Sequence, residues 1–440
     1  MAQSIFYDVK CERITREELE QLQLERLQST LNRVYRNVAF YRAALDGHRV
    51  DLDKITSVEA LRTLPFTTKD DLCRSYPYSL FAVPLRDIVR IHSTLGTPGK
   101  PVVVGYTRND LRSWNECMAR LLAAAGITEH DVVQIALDYN ITPGAFGFHH
   151  GAELLGASVI PTSLSMGVEK QVLIMRDFKT TALITTPSYA GTIAAALEQA
   201  DLHPERLSLR LGLFGGQRWS SQLRSQLEMR LRIQSVDTYG LAEILGPGVA
   251  GECQCRDGLH INEDHFIVET VDPKTLAPVH EGEDGELVLT TITREGCPLI
   301  RYRTGDITSI RRSPCPCGRT FSRMARVMAR TDDMIFFRGV GFFPSQVEQI
   351  LCDYAGIKGH YQIVLGQMAG MDTLEVRIEV SDQIPSWDEM RTLEHLREEM
   401  ARRIKTVLDV DAKVTFVERQ SLQGLAEDQR VTDDRPGARG

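Results

Sequence analysis

The sequence predicts an α/β fold: a large N-terminal domain with mostly parallel sheets and a small β subdomain, plus a mobile small α/β C-terminal domain. Three observations predict it. Between Ile88 and about Leu289, short β-rich runs alternate with helical stretches, the pattern of strand and helix units around a largely parallel sheet. Gly, Pro and charged residues crowd the text TVDPKTLAPVHEGEDGELVLTT around 271–300, which reads as hairpins. After Arg330 the character changes to TDDMIFFRGVGFFPSQVEQIL, a hinge followed by about 100 residues of a second domain. The expected domains are 1–330, 331–432 and a flexible tail at 433–440.

Taken in order, the first element is a helix. Thr15 and Glu18 have capping-box spacing, and Leu19, Leu22, Leu27, Leu31 and Val34 recur near one face. The runs VVQIAL, ASVIPT, TTALITT and LRLGLFG are strands, with helices over 110–125 and 188–199 between them. In the last domain LEVRIEV is a strand. A helix starts at Ser386, is capped by Glu389, and continues through Met390, Leu393, Leu396, Met400 and Ile404. The closing EDQRVTDDRPGARG is polar and holds Pro and Gly, so its end is expected to fray.

Composition narrows the function classes. At 440 residues, 42% hydrophobic and 25% charged, the chain is enzyme-sized and neither fibrous nor disordered. Its 51 basic and 59 acidic side chains give a net charge of −8, with no electrostatic footprint for nucleic acid. No signal peptide or run of 18 apolar residues is present, so no membrane span is expected and the default compartment is cytoplasmic.

The sharpest local feature is HSTLGTPGKPVVVGYT at 92–107, a turn rich in Ser, Thr, Gly and Lys after the strand-like DIVRI. Successive N–H groups and hydroxyls in such a loop can cradle phosphate, and Lys100 adds a point charge. It is not a Walker A loop, because Pro101 and a β-like run follow where a helix would start. On these residues alone, a tight hairpin that favours Gly and Pro explains the loop equally well.

The loop resembles the SSGTTGKPxxxxYT phosphate loop of the phenylacetate–coenzyme A ligase family, within the adenylate-forming acyl/aryl ligases. Four more stretches match in order: Gly215-Gly216-Gln217, Asp237-Thr238-Tyr239-Gly240-Leu241-Ala242-Glu243, Tyr302-Arg303-Thr304-Gly305-Asp306, and Arg330-Thr331-Asp332-Asp333-Met334 running on to Glu348.

The resemblance implies ATP-dependent activation of an acid to an acyl-adenylate, then transfer to coenzyme A. It places Thr94, Thr97 and Lys100 at the ATP phosphates, with Gly96 and Gly99 shaping the turn. Gly215, Gly216 and Gln217 would border adenine and the acyl pocket, and Asp237 and Tyr239 would flank the base. Glu243 would associate with Mg²⁺, Asp306 and Arg330 would meet the ribose and phosphate, and Asp332 would be the hinge. Tyr139, Phe146, Phe148, His149 and His150, with Gly215 and Gly240, would line a pocket for a small aromatic acid such as phenylacetate or anthranilate. Plainer readings stand beside these: Asp237 and Asp306 as turn caps, Tyr239, Phe146 and Phe148 as core aromatics, Glu243 as a solvated residue.

Cys253 and Cys255, with His260, and Cys315 with Cys317 form a separate constellation. Thiolates and imidazole from two chain segments supply four ligands to tetrahedral Zn²⁺. The set Cys253, His260, Cys315 and Cys317 resembles the zinc-bearing subset of the family and would be structural. Unlinked thiols are the alternative reading. Glu263-Asp264-His265 reads as a structural turn near the site floor.

Several positions depart from the family pattern. Leu95 and Pro98 replace hydroxyl residues, and Gly341 replaces an Asn. Glu427 falls near the position of the adenylation lysine, where a carboxylate would repel the anionic transition state. In the ligase reading, adenylation would rely on Lys100, Mg²⁺ and another cation such as Arg430. Two alternatives to it follow: an acyl transferase between coenzyme A and a phosphopantetheinylated acyl carrier protein, or a non-catalytic regulatory homologue. A homodimer is left open.

Overall fold

A computed structural model describes residues 6–94, 101–337, 340–352, 354, 357–368, 371–380, 390–418, 421–422 and 430–435. The chain divides into two compact units, Met1–Thr304 with Thr308–Val327, and Gly305–Ile307 with Met328–Gly440.

The first unit opens on the expected helix, Arg16–Asn37. Thr15 Oγ1 accepts from the Glu18 amide and Glu18 returns a bond to the Thr15 amide, so both ends of the capping box are closed. Leu19, Leu27, Leu31 and Val34 are buried, whereas Leu22 is only half-buried. Beside it Gln23 is buried instead, donating to the Glu263 carbonyl at 2.7 Å.

A nine-stranded mixed sheet organises this unit. Across it lie Ile310–Arg311, Arg323–Met324, Leu259–Ile261, Gly246–Glu252, Gln234–Leu241, Leu211–Gly215, Ala182–Thr185, Val132–Ile135 and Ser158–Pro161. The five strands from Gln234–Leu241 to Ser158–Pro161 are parallel to their neighbours, and the remainder pair antiparallel. All four β-rich runs of the sequence are therefore in the parallel part. The intervening helices are Arg108–Ala125, capped by a Thr107/Asp110 box, and Pro187–Gln199, with Pro at its first position. Trp114, Met118 and Leu122 of the former are wholly buried in the core. The hairpin expectation holds for Phe266–Val271, which pairs antiparallel with Gly285–Thr291.

In the second unit, a four-stranded sheet runs Lys413–Val417, Met371–Val380, Ile357–Met368, Val431–Asp433. Its core joins Ile363, Val376 and Val414 to Val347 and Ile350 of helix Pro344–Cys352 and to Met400 and Ile404 of helix Met390–Leu408. Ser386 and Glu389 lie outside the described residues. The polar C-terminal text supplies an edge strand, Val431–Asp433, parallel to Ile363–Leu365. Edge addition uses main-chain bonds, here Ile363 to the Arg430 carbonyl at 2.7 Å and Asp434 to the Leu365 carbonyl at 2.8 Å, so it leaves little mark on side-chain composition. Of the tail expected at 433–440, residues 436–440 lie outside the described residues. Among the described residues no helix is long and apolar enough to cross a membrane.

Candidate active site

Open α/β sheets bind ligands at the carboxyl ends of their strands, and Gly215, Tyr239 and Gly240 lie toward such ends. Strand Arg90–Ser93 pairs antiparallel with Val103–Tyr106. Thr94 closes this hairpin: its amide donates to the Val102 carbonyl at 3.0 Å and its hydroxyl accepts from the Val102 amide at 3.1 Å. Gly96, Thr97, Gly99 and Lys100 lie outside the described residues.

Gly215 ends the strand Leu211–Gly215. A Cβ there would stand 2.3 Å from Thr238 Oγ1, so the close approach of the next strand requires glycine. Gly216 follows at φ +75°, and Gln217 is exposed, its Oε1 accepting from Ser188 Oγ at 2.8 Å. On the neighbouring strand Asp237 is buried and bound to Trp219 Nε1 at 3.0 Å and Arg326 Nε at 2.8 Å. Burial pushes its carboxyl up, against the opposing pull of Arg326. Tyr239 is half-buried against the core. At Gly240 the pairing shifts register, and a Cβ would lie 2.1 Å from the Gly246 carbonyl oxygen. Glu243 is half-buried in the turn that follows, not on a helix.

Within the second unit, Asp306 pairs in register with Arg330. Arg330 Nη1 donates to Asp306 Oδ1 at 2.7 Å and its Nε to Asp332 Oδ1 at 2.9 Å. These carboxylates raise the guanidinium's pKa against the opposing effect of burial. Arg430 is 3.7 Å from Glu348 and lies over the Tyr361 ring. Glu427 is outside the described residues.

The aryl-pocket candidates separate into two groups. Phe148 is 4% exposed and packs in the main core from helix Gly144–Leu154. Tyr139 and Phe146 stand edge to face at 5.4 Å and are only half-buried. Around them runs a hydrogen-bonded chain. Tyr139 Oη meets His149 Nδ1 at 3.1 Å, and His149 Nε2 meets Glu153 Oε1 at 3.1 Å. Glu153 Oε2 meets His150 Nδ1 at 3.2 Å, and His150 Nε2 meets Arg90 Nη2 at 3.2 Å. Burial lowers the His150 pKa and raises that of Tyr139. Arg90, Glu153, Trp219 and Arg326 went unnoticed in the sequence, since nothing in their spacing marks them.

Cys253, His260, Cys315 and Cys317 converge with all ligand atoms within 4.8 Å of one another, all four buried. Cys253 and Cys315 sulfurs are 3.8 Å apart, and Cys317 Sγ is 3.3 Å from His260 Nε2. A tetrahedron with bonds of about 2.3 Å has edges of about 3.8 Å, so the donors fit zinc. His260 Nδ1 faces the Phe321 carbonyl at 3.4 Å, which leaves Nε2 as the ligand atom. Cys255 is exposed and outside this group. Glu263, Asp264 and His265 are buried, with Glu263 ion-paired to Arg16 and Asp264 to Arg120.

Residues 86–293 match the family described as AMP-binding enzyme, and residues 339–435 its C-terminal domain. The chain is 43% identical to phenylacetate–coenzyme A ligase of Thermus thermophilus over 94% of its length and 95% of that protein's. Against the enzyme of the same name from Escherichia coli it is 41% identical, over 91% of each chain. The chain belongs to the phenylacetate–coenzyme A ligase family. As a family member it is an AMP-forming coenzyme A ligase, an enzyme that activates an acid with ATP and transfers it to coenzyme A. Two solved structures of 2-hydroxyisobutyryl-CoA ligase, 28% and 29% identical, share this ligase's fold. The first, holding R3-HIB-AMP in the postadenylation state, has a TM-score of 0.83 over 98% of this chain and 93% of that one. The second, with 2-HIB-AMP and coenzyme A in the thioesterification state, gives 0.73 over 99% and 94%.

Proposed function

We propose that this ligase acts on a small aromatic carboxylic acid. The half-buried Tyr139–Phe146 pair carries this reading, because its flat apolar surfaces suit an aromatic ring. The substrate carboxylate attacks the α-phosphorus of ATP, releasing pyrophosphate and forming an acyl-adenylate. The thiol of coenzyme A then attacks the activated carbonyl and AMP leaves. Thr94, Thr97 and Lys100 hold the phosphates, Gly215–Gln217 and Tyr239 border the nucleotide and acyl group, and Asp306 with Arg330 serves the ribose. Asp237 supports this wall through Trp219 and Arg326. Mg²⁺ near Glu243 would offset charge on the pyrophosphate. The domains 1–330 and 331–432 turn about Asp332 between the half-reactions, excluding water from the adenylate.

The four-residue Cys/His cluster holds one structural Zn²⁺ that ties the 253–260 segment to the 315–317 loop. The experiment is ATP–pyrophosphate exchange with a panel of aryl acids, followed by detection of the coenzyme A thioester. Exchange that depends on an aryl acid and falls at least 100-fold in Lys100→Ala is expected; exchange only with aliphatic acids overturns the reading. Glu427 favours a second reading, acyl transfer between coenzyme A and a carrier protein, which predicts transfer without ATP.

A further inference from the structure

The chain from Tyr139 to Arg90 fixes its own proton positions. A guanidinium only donates, so His150 Nε2 must accept from Arg90 and its proton must sit on Nδ1, facing Glu153. A carboxylate only accepts, so His149 Nε2 donates to Glu153, and its Nδ1 is taken up by the Tyr139 hydroxyl. Both imidazoles are thereby committed to protein partners. Neither offers a free ring nitrogen to a substrate.

The uncommitted groups lie one strand away. Arg90 Nη1 and His92 Nε2 are buried polar atoms with no partner among the described residues. The two residues alternate along strand Arg90–Ser93, so their side chains project from the same face. Both approach the Phe146 ring, Arg90 at 5.5 Å from its centroid and His92 at 5.4 Å. His92 is 3% exposed, and its Nδ1 lies 2.9 Å from the Ile141 carbonyl, to which it can only donate. Burial keeps the ring neutral, so Nε2 is an acceptor. One unsatisfied donor and one unsatisfied acceptor, both buried, therefore lie near one aromatic ring. Leaving such groups unpaired costs free energy, and a ligand that satisfies both recovers it.

We infer that Arg90 and His92 recognise a hydroxyl on the ring of the aromatic acid, so that the ligase prefers hydroxy-substituted aryl acids. The inference rests on the aryl-acid reading above. A phenolic hydroxyl donates its proton to His92 Nε2 and accepts from Arg90 Nη1 with the same oxygen. An aromatic amine donates but accepts poorly, and an unsubstituted ring does neither. These are specificity residues and take no part in the chemical step.

The probes are phenylacetate and benzoate against their 2-, 3- and 4-hydroxy isomers, measured by acid-dependent exchange and by calorimetric binding to the full chain. At least one hydroxy isomer should exceed its parent acid by about 10- to 100-fold in kcat/KM, the range expected for one buried polar contact. His92→Leu should lower kcat/KM for the hydroxy acid far more than for the parent acid, bringing that ratio to within about threefold. Arg90→Met should act in the same direction. Parent and hydroxy acids equal in the wild type, or a His92→Leu loss shared equally by both, would overturn the inference, and the wild-type panel decides even where a variant fails to fold. Hydroxyl-selective binding without exchange would remove the ligase activity and leave the recognition pair standing. Exchange without hydroxyl selectivity would do the reverse, and absence of binding by any acid would overturn both.

Discussion

Asp264 is the most demanding electrostatic position in the first unit. Its side chain is 4% exposed and accepts from Arg120 Nη1 at 2.7 Å, with His265 Nε2 at 3.2 Å. Burial alone would raise its pKa, yet His265 and Arg120 hold it well below the usual carboxylate value. His265 is pushed the other way, up to about 10, with burial opposed by its electrostatic and hydrogen-bond interactions with Cys117 and the Asp264 carboxylate. Asp264→Asn keeps the shape and removes the charge, leaving two buried cations uncompensated. Gross Coulomb attraction across the Arg120 contact is about 6 kcal/mol at an effective dielectric of 20. Desolvation offsets part of this, so the net cost of breaking the pair is about 3–5 kcal/mol. His265 can shed its proton once the carboxylate is gone, which places the loss near the lower end.

Spread over roughly 320 residues at about 2.1 cal/mol/K each, that cost is a fall in Tm of about 4–7 °C. The pH dependence carries the sharper signature. Asp264, depressed in the folded state, contributes stability above its unfolded value near 3.8 that is lost as pH falls toward its folded pKa. His265, raised in the folded state, contributes stability present below 6.5 and lost as pH rises toward about 10. The assay is Tm by calorimetry from pH 3 to 10 at one scan rate, wild type against Asp264→Asn. The variant should lose stability most between about pH 4 and 6.5 and show flatter limbs on both sides. A Tm within about 1 °C of wild type at pH 6, or parallel pH profiles, would refute the reasoning.

Gly240→Ala should cost about 1–3 kcal/mol, read as a lowered Tm, because its Cβ would meet the Gly246 carbonyl at 2.1 Å and Pro247 Cα at 2.6 Å, contacts no side-chain rotation relieves. Elemental analysis should find about one zinc per chain, falling several-fold in Cys317→Ser together with Tm; equal metal content in both proteins counts against the cluster. Thr15→Ala opens the capping box of helix Arg16–Asn37 and should lower stability by about 1 kcal/mol, measured as a small fall in Tm; no change would mean tertiary contacts alone hold that turn.

Local structure was legible where one segment carries its own signal. Thr15 and Glu18 mark a helix start because both capping partners lie within one turn, and TTALITT marks a buried strand because its neighbours on both faces are apolar. The C-terminal strand Val431–Asp433 was not legible, because its stability comes from main-chain bonds to Ile363 and Leu365. The burial of Phe148 was not legible for a related reason. An aromatic-rich stretch shows that rings are available, but helix rotation decides that Phe146 stays half-buried while Phe148 enters the core.

The sequence by itself determined the fold class, the order of the motifs and the family, since these depend on residue type and spacing along the chain. Tertiary structure decided which polar groups remain available to a ligand. His149 and His150 are neighbours in text, and in space Tyr139, Glu153 and Arg90 take up their ring nitrogens. His92 and Arg90 keep, among the described residues, an unpaired acceptor and donor beside Phe146. Hydrogen-bond valence is conserved locally yet satisfied by whichever residues folding brings within about 3 Å, and composition and periodicity carry no record of that.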